Sequence, residues 1–134
     1  MKRSLTLIAV VVLLVVVSAV VFAACMPSDP TKAKEKYEKA DYSVVFDNSE
    51  IGNKAVAAGI SLLIKMEGGV TAKLAASNSK YDGTVIWFEK SSDAKAYAEY
   101  LESHKSNDSD SYIKRDGKSV FLGDKEAYSF KKAE

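Results

Sequence analysis

One apolar tract near the N-terminus limits where this chain can end up. Met1-Lys2-Arg3-Ser4 is followed by residues 5–22, apolar except for Thr6 and Ser18, and then by Ala23-Ala24-Cys25. A charged start, an apolar core and small residues before a break describe a secretory signal peptide over residues 1–24. Leu, Ile and Val lower the free energy of that helix in hydrocarbon, while Lys2 and Arg3 hold its start on the cytoplasmic side. An uncleaved membrane helix is the alternative, since residues 5–22 come close to the ~20 that a spanning helix needs. A free secreted form is the third reading. All three place residues 26–134 outside the cytoplasmic membrane.

Phe22-Ala23-Ala24-Cys25 resembles the lipobox of bacterial lipoproteins: an aliphatic residue, two small residues and Cys. The resemblance covers the first 25 residues, and Phe22 stands where that family usually has Leu. It implies that Cys25 becomes a thioether-linked diacylglyceryl cysteine and the new N-terminus. The partner so implied is membrane lipid, held through acyl chains of the palmitate type. Each buried CH₂ contributes ~0.8 kcal/mol, and two chains supply the two signals that stable anchoring needs. The expected location is the cell membrane, lipid-anchored on the extracytoplasmic side. Against this stands the plain reading of a lone Cys as a small buried hydrophobe.

Cleavage before Cys25 would leave 110 of the 134 residues and turn the formal charge from +1 to −1 by removing Lys2 and Arg3. That length suits one modest core. A single Cys permits no internal disulfide and no thiolate metal cage. Near-zero charge excludes the basic stripe of a nucleic-acid binder. Residues 25–30, with Pro27, Ser28 and Pro30, read as a lipidated Cys and an extended tether. Residues 31–134 read as the exported domain.

The pattern predicts a helix over 30–40, capped by Ser28 or Asp29, and a strand over 42–46. A helix over 50–66 follows, with Ile51, Ala55, Ala58, Leu62 and Met66 on its inner face. Gly52 and Gly59 oppose helix there by ~1 kcal/mol each, and residues 60–66 also alternate as a strand would. Strands are expected over 70–77, with Val70, Ala72, Leu74 and Ala76 on one face, and over 84–89. A helix capped by Ser91 or Ser92 runs to His104. A hairpin over 111–122 turns at Asp116-Gly117, and Asp124 caps a last short helix. Val44-Val45-Phe46 and Ile86-Trp87-Phe88 are each followed by a polar step and a Ser cap. This suggests two βαβ halves. The expected fold is therefore α+β: a ferredoxin-like antiparallel sheet with helices on one face, in the order β-α-β-β-α-β. An extra N-terminal helix, a fifth strand and a short C-terminal helix complete it. Val44, Phe46, Ile86 and Phe88 should face the helices, with Val45 and Trp87 opposite. A bare Trp87 face would be costly at ~25 cal/mol per Å², so the protein's own ends or a partner must cover it.

Catalytic patterns are absent. His104 sits among Glu102, Ser103 and Lys105 at a helix end, where the helix dipole favours it, without the orienting partner a general base needs. Asp108-x-Asp110 lacks the Gly of a calcium loop, since Tyr112 and Ile113 follow. Gly68-Gly69 has no phosphate-cradle spacing and reads as a turn. Asn107-Asp108-Ser109, a glycosylation-type triplet, reads as loop. Residues 84–89 lack the glycine and positive charge of RNA-recognition strands. No catalytic residue, cofactor or metal site is expected. The leading expectation is a non-catalytic binding or interaction module whose protein or small-molecule partner is unspecified. Trp87 is the candidate contact aromatic, with Tyr81, Tyr100 and Tyr112 beside it. An accessory subunit of an envelope complex, joined through an open sheet edge, is the first alternative. A carboxylate-dependent surface enzyme, which needs two converging carboxylates, is the second.

Overall fold

A computed structural model describes residues 25–106 and 110–134. The expected signal peptide, including Phe22-Ala23-Ala24, lies outside the described residues, as does Asn107-Asp108-Ser109. Among the described residues no helix is long and apolar enough to cross a membrane.

In chain order the elements are α1 (Pro30–Lys39), β1 (Ser43–Asp47), α2 (Glu50–Ser61), β2 (Val70–Ser77) and β3 (Asp82–Phe88). Then come α3 (Ser91–His104), β4 (Tyr112–Asp116), β5 (Ser119–Gly123) and α4 (Lys125–Tyr128). The α+β class holds: five strands form one antiparallel sheet in the order β1-β2-β3-β5-β4. The two expected halves differ, however. β1 and β2 are direct antiparallel neighbours. β3 and β4 both pair antiparallel to β5 and so run parallel with β5 between them, linked by α3. The helices divide as the Trp87 argument requires: the two that connect strands share one face, and those at the ends of the domain cover the other. α1 and α4 cover Ala72, Leu74, Val85, Trp87 and Phe121. α2 and α3 cover the opposite side through Ile60, Ala94, Ile86, Phe88 and Val120.

Local chemistry sets the boundaries. Asp29 caps α1 by accepting the Thr31 amide at 2.9 Å, with Pro30 in the first turn. Asp41, at φ 65°, ends it: the Asp41 amide donates to the Glu38 carbonyl and the Tyr42 amide to the Tyr37 carbonyl, which closes the last carbonyls in the usual left-handed way. Asp47 accepts both the amide and the hydroxyl of Ser49, at 2.8 and 2.6 Å, and Ser49 caps α2 at the Gly52 amide. Those bonds, the hydroxyl's first, hold the Asp47 carboxyl below its ordinary value. A Cβ on Gly52 would overlap that carboxylate and push it off Ser49, so glycine here lets the Asp47–Ser49 cap close.

α2 is shorter than expected. After Ser61 the Leu62 and Leu63 amides turn back to the Gly59 and Ile60 carbonyls, and residues 62–69 form a loop rather than more helix or a strand. The buried Asp93 carboxylate, in the first turn of α3, accepts the Glu67 and Gly68 amides at 2.9 and 2.8 Å. It thereby pins that loop while Ile64 and Met66 pack inward. Ser91 and Ser92 both lie inside α3; Lys90 occupies the cap without a side-chain bond.

Three sheet details correct the sequence expectation. Val44 and Phe46 sit opposite Ala76 and Leu74. Directly opposed residues share a face, so both point toward α1, and Val45 is the outward residue on the α2 side. Between Val70 and Ala72 the register shifts against Phe88 and Trp87; the extra residue, Thr71, turns Val70 to the face opposite Ala72. The β4–β5 turn is Gly117-Lys118, one residue later than expected, with positive φ at Gly117 alone. Glycine at the first central position is the type II′ preference.

Two phenols of the α1/α4 layer are pushed well above their ordinary value of 10.0: Tyr37 by burial, then by neighbouring Tyr42; Tyr128 by burial, then by the Asp116 carboxylate. The fold therefore favours the neutral phenol. Unfolded chains ionise near pH 10 while the native state does not, so stability should be flat below that pH and fall as pH rises beyond it. Tyr37→Phe also removes the 2.9 Å bond to the Ala127 carbonyl. Urea unfolding should show a loss of about 1–2 kcal/mol at pH 7 and a shallower alkaline decline.

Candidate functional site

Two places on the domain present unusual chemistry. The first lies where the chain enters the fold. β3 sends Trp87 to the α1/α4 face, where it is 2% exposed, and its indole N–H donates to the Pro27 carbonyl at 3.0 Å. Met26 is 4% exposed inside the same cluster. Its amide donates to Asp116 Oδ2 at 3.2 Å, and the same oxygen accepts the Tyr128 hydroxyl at 2.5 Å. One carboxylate at the end of β4 therefore ties the entering strand to the last helix. Cys25, just before Met26, lies exposed at the surface and in no disulfide.

This arrangement corrects two expectations. Residues 25–30 are not an extended spacer: the first residue after Cys25 is core. Trp87 is not an exposed contact aromatic either, because Met26, α1 and α4 cover it. The other aromatics are likewise occupied. Tyr81 and Tyr112 pack against the α1/α4 cluster, Tyr112 beside Phe121 and Tyr128. Tyr100 stacks on His104 at 4.0 Å. The His104 Nδ1 lies 2.9 Å from both Ser103 Oγ and the Tyr100 carbonyl, which fixes the ring along its own helix end. A cleft of about 560 Å³ opens beside the entry point, lined by Ser28, Thr71, Trp87, Phe88, Glu89 and residues 116–119.

The second place is the outer face of α2. Ile51, Ala55, Ala58 and Leu62 recur at helical spacing and were expected to face inward. All four are exposed, Ile51 at 84% and Leu62 at 87%. Val56, Ala57, Ile60 and Ile64 take the inward side instead. Val45, 74% exposed on the edge strand β1, adds to the apolar surface on this side of the sheet, as does Leu63 at 44%. The clue was present in the sequence: α2 carries only Glu50 and Lys54 as charges, and a helix apolar on all sides belongs between two partners.

Two carboxylates, Glu89 and Asp116, line the cleft beside the entry point, and Asp116 already accepts the Met26 amide and the Tyr128 hydroxyl. Asp93 serves two loop amides, Glu89 accepts the Gly69 amide at 3.1 Å, and Glu67 accepts the Ser92 hydroxyl at 3.1 Å. Among the described residues no group of three or more His, Cys, Asp or Glu is placed to hold a metal ion. Comparison with protein-family models, with curated proteins and with solved structures finds nothing that matches this chain.

Because Met26 is core, Met26→Ala should destabilise the domain by about 2–4 kcal/mol. The emission of Trp87 should shift to the red as its cover loosens. A change within about 0.5 kcal/mol, measured by denaturant unfolding, would return residues 25–30 to the role of spacer.

Proposed function

We propose that this protein is a small lipoprotein, anchored through acylated Cys25 on the extracytoplasmic side of the cell membrane, whose domain is a non-catalytic interaction module for another envelope protein. The observation that carries the interaction reading is the uncovered apolar face of α2. Ile51 and Leu62, with exposed Ala55 and Ala58 on the same helical stripe, and Val45 on the same side of the sheet leave aliphatic side chains in water, and exposed apolar surface of this kind marks a contact site. The partner's matching surface is apolar, with polar groups at the rim facing Glu50 and Lys54.

Support for the anchor is the lipobox resemblance together with the position of Cys25, exposed at the domain surface. A ferredoxin-like likeness rests on one half of the domain, β3–α3–β4 with β5 between, and by itself carries no activity. Service as an accessory subunit of an envelope complex is the same surface used permanently. A carboxylate-dependent enzyme has weaker support: Glu89 and Asp116 line one cleft, but Glu89 accepts the Gly69 amide and Asp116 the Met26 amide and the Tyr128 hydroxyl.

Two measurements test this reading. Cys25→Ala should leave an unprocessed precursor in which intact mass finds no acyl chains; a variant still cut and still membrane-bound would refute the anchor. For the module, protein extracted in mild detergent should run by light scattering as a complex heavier than the monomer. Ile51→Glu with Leu62→Glu should release the monomer, with stability within about 0.5 kcal/mol per exposed site. A wild-type chain that is already monomeric in every mild detergent would end the module reading.

A further inference from the structure

We propose that the acylated protein lies flush on the bilayer, with the end of the sheet that carries the β4–β5 turn against lipid headgroups. This rests on the anchor reading above and adds to it a fixed orientation. A lipid-anchored domain normally gains freedom from the chain between anchor and core. Here no residue separates the anchor, Cys25, from the first core residue, Met26. Met26 is buried, its amide bound to Asp116, and Pro27 is tied to the Trp87 indole. Two residues of backbone span at most about 7 Å, so acyl chains on Cys25 would hold Trp87 within a short reach of the interface.

The register then says which end faces lipid. Trp87 pairs with Ser119, Ser119 with Asp116, and Val70 with Phe88. Gly117, Lys118, Glu89 and Lys90 therefore stand at the anchored end, and both lysines are exposed. Their ammonium groups can meet phosphate oxygens while their stems lie along the surface. The β2–β3 turn at Lys80 stands at the far end, roughly 20 Å away along a seven-residue strand. The apolar face of α2 lies on the other side of the sheet from the anchor cluster, so a flush domain would present it at a fixed height to a partner in the same membrane.

The test uses the mature, acylated protein reconstituted in phosphatidylcholine vesicles with and without a lipid bearing a headgroup nitroxide. Trp87 is the one Trp of the chain, so its emission reports this end alone. Nitroxide lipid should quench it by about half or more. A fluorophore at Lys118→Cys should be quenched likewise, and one at Lys80→Cys much less. A six-residue Gly-Ser insertion between Cys25 and Met26 should abolish most of the Trp87 quenching while leaving the fold intact. Equal Trp87 emission in both vesicle types, with intact mass showing acylated Cys25, overturns the flush orientation and leaves the anchor standing. An unacylated mass overturns the anchor and, with it, this orientation.

Discussion

A strand buried on both faces is what the rest of this structure answers to. β3 turns Val85 and Trp87 one way and Ile86 and Phe88 the other, and all four are buried. A sheet with such a strand at its centre cannot leave either side to water. Two helical layers follow from that requirement. The α2/α3 layer is made by helices that connect strands. The α1/α4 layer is made by the two ends of the domain, and long-range bonds join them. The Tyr37 hydroxyl donates to the Ala127 carbonyl and the Tyr42 hydroxyl to the Lys131 carbonyl, and Asp116 holds both Met26 and Tyr128.

Carboxylates do much of the remaining fastening, though seldom through ion pairs. The ion pairs found, such as Lys34 with Glu38 at 3.9 Å and Lys54 with Glu50 at 3.0 Å, are exposed, and pairs of that kind contribute ~0–1 kcal/mol. Asp93, Glu89, Asp47, Asp124 and Asp116 instead accept backbone amides from loops and element ends. A charged acceptor makes a stronger bond than a neutral one. In a chain with a single Cys, these bonds fix loops that no internal disulfide can secure.

Element order was readable because it depends on local chemistry. β-branched and aromatic runs gave the strands, and Asp29 and Ser49 gave caps at the expected places. What the local pattern could not reveal was decided between elements. The faces of Val44 and Phe46 follow from pairing with β2, which no local window contains. Thr71 shifts the register because Val70 and Ala72 must serve opposite layers. Residues 62–69 leave the helix because Asp93, some 25 residues on, claims their amides. Trp87 looked like a contact residue until its cover was found in Met26 and Pro27, residues that resemble a linker in every compositional respect. The α2 face is the reverse case: one apolar stripe was legible, and only the packed sheet shows that Val56, Ala57, Ile60 and Ile64 fill the core in its place.

The bond between Tyr37 and the Ala127 carbonyl has a consequence for biosynthesis. α1 is made early, yet the groups that finish its burial are separated from it by some 90 positions. A nascent chain made start-first emerges with a half-roofed sheet, and this bond cannot close until its tail has cleared the ribosome. The α1/α4 layer is thus completed last, when the final helix has been made.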